Sequence, residues 1–247
     1  MKVLIANWKC LGSESALSDL NKWVCDRSAI EAKLIVLLPA PFLGMWKKYQ
    51  WPSWVRLGAQ TVYPRSGAFT GAFHTGMLKD VGCEYVCIGH SERRGIFSED
   101  DGFVVEQYHS VLHEGLLPIL CIGEPKEGGL GSKAERLSWL KKQLEVVLTS
   151  HAIEKHKKHD IIIAYEPGWA IGSSQAAPAD DVAQLTDTLD NWLTSCIGDS
   201  VQRLWCYGGS VNASNMHAFT QVGKIEGLLV GRASFDKQVI QGLMTQC

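Results

Sequence analysis

The chain has 247 residues, and none of its apolar runs approaches the roughly 20 residues needed to cross a bilayer. A membrane-spanning protein is therefore not expected. Charge is also missing as a signal. Lys and Arg total 24 against 26 Asp and Glu, a formal net charge of −2, which gives no electrostatic reason to expect a nucleic acid or a membrane surface as partner. The apolar part of residues 1–7 is too short for a signal peptide and reads as a strand that begins at once. With no export signal, a cytoplasmic protein with reduced thiols is expected. The chain also lacks paired cysteine clusters. Cys83 and Cys87 are four apart, but no second close pair exists, and a zinc site usually draws four ligands from two such clusters. His109 and His113 lie one helical turn apart with no third ligand in view, so they are taken as a solvated helix face. No metal is expected. Finally, no long Pro/Gly/Ser linker and no low-complexity stretch divides the chain, so residues 1–247 are expected to form a single domain.

What the chain does contain is a repeated alternation. Short continuous apolar runs occur at 3–7, 34–38, 55–59, 85–89, 117–122, 161–165, 204–207 and 227–230. Unbroken runs of this length suit strands buried on both faces of a parallel sheet. Amphipathic stretches lie between them at 14–25, 41–50, 99–113, 133–150, 180–196 and 233–244, with shorter turns near 77–81 and 212–219. Helix starts are signalled by Ser98 ahead of two acidic residues and by Asp180 following Pro178. A glycine-rich loop is expected at 126–132 and a basic solvated turn at 155–159. Eight strand–helix units in about 250 residues are the size of a closed (β/α)8 barrel. Several cysteines, Cys87, Cys121 and Cys206, fall inside the apolar runs and are expected to behave as small buried hydrophobes.

A barrel of this type works at the C-terminal ends of its strands. Polar groups crowd there: Asn7 and Lys9 after the first run, His90, Ser91 and Glu92 after the fourth, Glu166 after the sixth, Ser210 after the seventh, and Gly231-Arg232 after the eighth. Glu166 follows the run 161–165 and is followed by Pro167 and a segment mixing Gly, Trp and Ser, the composition of a mobile cover. A glutamate at the mouth of a strand beneath a lid is placed to act as a general base.

Together these residues resemble the triosephosphate isomerase family. The resemblance is carried by Asn7-Trp8-Lys9, Gly67-Ala68-Phe69-Thr70-Gly71, Ile88-Gly89-His90-Ser91-Glu92-Arg93-Arg94, Cys121-Ile122-Gly123-Glu124, the segment 164–172, Tyr207-Gly208-Gly209-Ser210-Val211 and Leu229-Val230-Gly231, and it runs from the first strand to the last. It implies interconversion of dihydroxyacetone phosphate and D-glyceraldehyde 3-phosphate, in glycolysis and gluconeogenesis, with no cofactor. It implies Glu166 as base and His90 as a neutral electrophile, the division of labour for which this family is the standard example. Asn7 and Lys9 would assist at the developing negative charge. Glu92 would orient Lys9, and Cys121 would pack near the base without acting as a nucleophile. Gly172, Ser210, Gly231 and Arg232 would offer backbone N–H groups to the phosphate. Tyr207 and Ser210 would hold a closed lid. The loop bearing Thr70 would enter a neighbouring subunit of a homodimer, beside that subunit's equivalents of Asn7 and Lys9.

The chain departs from the family at several places. Arg232 replaces a second glycine, which would cost about 1–2 kcal/mol if the position needs positive φ. The lid ends in Ser173-Ser174-Gln175 rather than Thr-Gly-Lys, and Ala72 replaces an acidic residue after Thr70-Gly71. Two other functions remain open: an isomerase of a related four-carbon sugar phosphate, and a non-catalytic phosphosugar-binding barrel. Retention of Asn7, Lys9, His90 and Glu166 together argues against the second.

Overall fold

The computed structural model describes residues 2–27, 32–125, 131–149, 160–173, 175–198 and 202–244. The loop expected at 126–132 lies mostly outside these residues, and the turn at 155–159 entirely so. Eight parallel strands close on themselves in sequence order: β1 (Val3–Asn7), β2 (Lys33–Leu38), β3 (Val55–Ala59), β4 (Tyr85–Ile88), β5 (Leu117–Ile122), β6 (Ile161–Tyr165), β7 (Arg203–Tyr207) and β8 (Ile225–Val230), with β8 pairing back onto β1. The helices are α1 (Glu14–Cys25), α2 (Ala40–Leu43), α3 (Thr75–Val81), α4 (Ser91–Phe97), α5 (Asp101–His113), α6 (Lys133–Leu148), α7 (Ala179–Ile197), α8 (Met216–Thr220) and α9 (Lys237–Met244).

Side-chain alternation along each strand creates two apolar shells. Val3, Ile5, Ile35, Leu37, Tyr85, Cys87, Ile119, Cys121, Ile162, Ala164, Cys206 and Leu229 fill the barrel interior. Leu4, Ala6, Leu34, Val36, Ile163 and Trp205 face outward against the helices. The same parity carries Asn7, Gly123, Glu166, Gly208 and Gly231 inward at the C-terminal mouth, two residues beyond Ile5, Cys121, Ala164, Cys206 and Leu229.

Four helix expectations need correction. The stretch 41–50 is only one turn, α2, followed by a 3-10 segment, Gly44–Lys48. Pro39 and Pro41 set the entry, and Gly44 ends the α-helical part. Ser98 does not start the helix after β4. It closes α4 in the left-handed region (φ 55°), and Asp100 caps α5 through a bond from Phe103 N–H at 2.8 Å. Asp180 lies in the first turn of α7, whose N-cap is Pro178, with no side-chain cap. The final stretch is split into a 3-10 turn, Arg232–Phe235, and α9. By contrast, α6 starts where its sequence says, at a full capping box between Ser132 and Glu135.

Candidate active site

At the mouth, Asn7 ends β1 and is buried, with the strained Lys9 next to it. Lys9 adopts φ +52°, a left-handed conformation that costs a non-glycine residue about 1–2 kcal/mol. Four contacts hold it there. Its N–H donates to Asn7 Oδ1 (3.0 Å), its carbonyl accepts from Gln60 Nε2 (2.9 Å), Gln60 Nε2 also donates to Leu37 O (3.0 Å), and Lys9 Nζ donates to Glu92 Oε1 (2.6 Å). Gln60 is absent from the sequence-derived set, because nothing in its local pattern marks it. It matters through Lys9's backbone, 51 residues away.

His90 is the N-cap of α4, and its Nδ1 accepts the N–H of Glu92 at 3.2 Å. An accepting Nδ1 puts the ring proton on Nε2. That nitrogen lies 3.2 Å from Glu166 Oε1, but it has no well-aligned acceptor among the described residues. Burial pushes the His90 pKa down, but the Glu166 carboxylate outweighs it and lifts it to about 9. The bond that Nδ1 accepts, at the electropositive first turn of α4, opposes that rise, and on that geometry we assign the ring as neutral. Glu166 is 2% exposed. Burial works to raise its pKa, but His90, the Ser91 N–H at 3.3 Å and Lys9 outweigh it and hold the carboxyl below the usual range. The carboxylate is thus ionised, and its contacts with His90 and the Ser91 N–H are both long. Gly208 sits against its stem: a Cβ there would come within 2.9 Å of Glu166 Cγ.

Cys121 lies in the barrel interior, its sulfur 3.6 Å from that of Cys87. The contact with Cys87, burial and the nearby Glu166 carboxylate all push its pKa well up, so it stays a thiol. Glu166, Lys9, Glu92, Gly172, Ser210, Gly231 and Arg232 all line one cavity of about 1330 Å3. Ser210, itself at φ +47°, places its hydroxyl 2.5 Å from Ala170 O and 2.8 Å from Ser173 O. Tyr207 is buried, and its hydroxyl accepts the Ala177 N–H at 2.8 Å. Both residues therefore tie down parts of the chain that follows β6. Arg232 opens the 3-10 turn after β8, and among the described residues the non-glycine ones with positive φ are Lys9, Ser98 and Ser210. The expected backbone strain at Arg232 is absent, because the chain turns there with an ordinary negative φ. Its side chain is exposed at the cavity rim. Thr70 stands apart from this cluster, on an exposed turn.

A (β/α)8 barrel whose mouth gathers a buried carboxylate, a tautomerically fixed imidazole and a lysine has the layout of an enzyme site with the groups that acid–base chemistry needs. Comparison with known proteins specifies this further. Residues 2–247 match the family described as Triosephosphate isomerase. A triosephosphate isomerase of Legionella pneumophila (strain Paris) is 34% identical over 97% of this chain and 96% of its own length. One from Entamoeba histolytica is 34% identical over 95% and 92%, and one from Aquifex aeolicus is 35% identical over 96% of each. The chain belongs to the triosephosphate isomerase family.

Proposed function

We infer that the protein interconverts dihydroxyacetone phosphate and D-glyceraldehyde 3-phosphate. The observation that carries this reading is the pairing of an ionised, loosely held Glu166 with a His90 whose proton is fixed on Nε2. The Glu166 carboxylate takes a proton from carbon 1 of the ketose. The electron pair moves into the carbonyl and leaves an enediolate, whose negative oxygens need donors already in place. His90 Nε2–H, Asn7 and the Lys9 ammonium supply them. Glu166 then returns the proton to carbon 2, and His90 is the donor placed to pass the second proton from one oxygen to the other. Glu166 must first leave its contacts with His90 and the Ser91 N–H, which at 3.2 and 3.3 Å cost little to break. Backbone N–H groups of Gly172, Ser210, Gly231 and Arg232 receive the phosphate. The segment held by Tyr207 and Ser210 shuts out water and protects the enediolate from losing its phosphate.

A coupled spectrophotometric assay tests the reading. Rapid conversion of glyceraldehyde 3-phosphate is expected, with kcat/KM for four-carbon sugar phosphates much lower. A folded protein that prefers the four-carbon substrates would overturn it. The reading extends to a cytoplasmic homodimer. Thr70 and Phe69 lie on one exposed loop, and Leu11, Met77 and Ile96 are further exposed apolar residues. Sedimentation showing only monomer at micromolar concentration would count against the dimer.

A further inference from the structure

We infer that Gln143, on α6, is a positioning residue for the catalytic base and acts through the backbone of Gly123. The inference rests on Glu166 being that base. Glu166 leaves β6 with its N–H bonded to Ile122 O at 2.8 Å. The next residue of the β5 exit, Gly123, faces it with no side chain between them. A Cβ on Gly123 would stand 1.9 Å from the Glu166 carbonyl oxygen and 2.8 Å from its carbonyl carbon. The two strand exits are in direct backbone contact, so the position of Gly123 sets the position of the Glu166 peptide.

Gly123 lies past the end of β5, and α6 satisfies its polar groups. Its N–H donates to Gln143 Oε1 at 3.0 Å, and its carbonyl accepts from Gln143 Nε2 at 3.2 Å and from Trp139 Nε1 at 3.1 Å. The side-chain amide thus behaves as a substitute peptide group, closing a two-bond ring on the backbone. Gln143 is 5% exposed, so no solvent replaces these bonds if they are lost. Trp139 and Gln143 are four residues apart and share one face of α6, while the adjacent Leu140 and Leu144 are fully buried and anchor the helix. Gln143, Trp139, Gly123 and Glu166 all border the same cavity. Removing the amide takes two of the three side-chain hydrogen bonds from Gly123 and frees the β5 exit to move, and a displacement of order 1 Å at a reacting group costs about 10²-fold in rate.

The test is steady-state kinetics on triose phosphate at a temperature well below each variant's Tm. Gln143→Leu is expected to lower kcat by about 10- to 100-fold with KM within about twofold of the parent, and Gln143→Glu, which keeps an acceptor for the Gly123 N–H, to recover part of the loss. Trp139→Phe, which removes one donor from a half-exposed ring, is expected to lower kcat by about twofold. A merely structural role would lower Tm and leave kcat intact, so a folded Gln143→Leu with kcat within twofold of the parent overturns the inference, as does a rise confined to KM. If Gln143→Leu does not fold, Gln143→Glu decides on the same criteria. If the parent protein itself does not turn over triose phosphate, the isomerase reading fails separately. Crystal structures then decide the positioning claim: a shift of the Glu166 backbone by about 0.5 Å or more in Gln143→Glu supports it, and an unmoved backbone overturns it.

Discussion

The two ends of the barrel hold the same kinds of charged groups in opposite ways. At the N-terminal end, Asp190 of α7 accepts Arg203 Nε at 2.9 Å and Trp205 Nε1 at 3.0 Å, and is also bonded to Lys224. Every bond there is 3.0 Å or less, and the partners lie on β7 or just before β8. At the C-terminal mouth, the contacts of Glu166 with His90 and the Ser91 N–H are long, and the neighbouring backbone is strained at Lys9 and Ser210. A carboxylate saturated with donors stabilises a fold. A carboxylate held by few, long contacts is available to react. The difference lies in the neighbours, since the residue types alone do not separate the two.

The comparison is broken most sharply by removing each carboxylate in turn. Glu166→Gln is expected to lower kcat by about 10³-fold or more, with Tm almost unchanged. Asp190→Asn is expected to do the reverse, costing about 2 kcal/mol and about 4–8 °C in Tm while keeping kcat. Burial opposes ionisation of Asp190, but bonds from Lys224, Trp205 and Arg203 overcome it and hold its pKa at about 2. Because the folded value lies below the unfolded one, this stability is present above about pH 4 and is lost as pH falls towards 2. After solvent screening it amounts to roughly 1–2 kcal/mol. Acid-unfolding curves of the parent and Asp190→Asn should therefore converge across that window, and parallel curves would contradict the assignment.

Smaller effects are expected at the lid and rim. Tyr207→Phe leaves the Ala177 N–H without its partner and should lower kcat/KM by about tenfold. Arg232 is the mildest case. The other cations bordering the cavity are tied to carboxylates, Lys9 to Glu92 and Arg94 to Asp101, whereas Arg232 extends into solvent at the rim. Arg232→Gln should lower kcat/KM by about threefold at low ionic strength, with the difference fading as salt screens it. An equal difference at all salt concentrations would mean the side chain acts by contact rather than by field.

The barrel was legible because its signal is repeated eight times. Each short apolar run forms one strand, and alternation then carries Asn7 and Glu166 inward without further information. The positions of the site's polar groups were legible for the same reason, since they sit at strand ends. Local signals misled where two short elements adjoin. Ser98 has an N-cap's side chain, but it closes α4 because the next residue with capping geometry, Asp100, starts α5. Arg232 looked strained only under the assumption of positive φ. Gln60, Gln143 and the left-handed Lys9 were not legible at all. Their importance comes from backbone groups brought close by barrel closure, and a linear pattern carries no trace of that.

The central claim is that Glu166 moves a carbon-bound proton through an enediolate. The most direct test is to run the reaction in D2O and determine by NMR whether deuterium enters the product at the reacting carbon. The account predicts partial incorporation by the parent protein, because the proton held on Glu166 exchanges with solvent in some turnovers. Product formed at full rate with no deuterium at that carbon, or unchanged incorporation by Glu166→Gln, would contradict it.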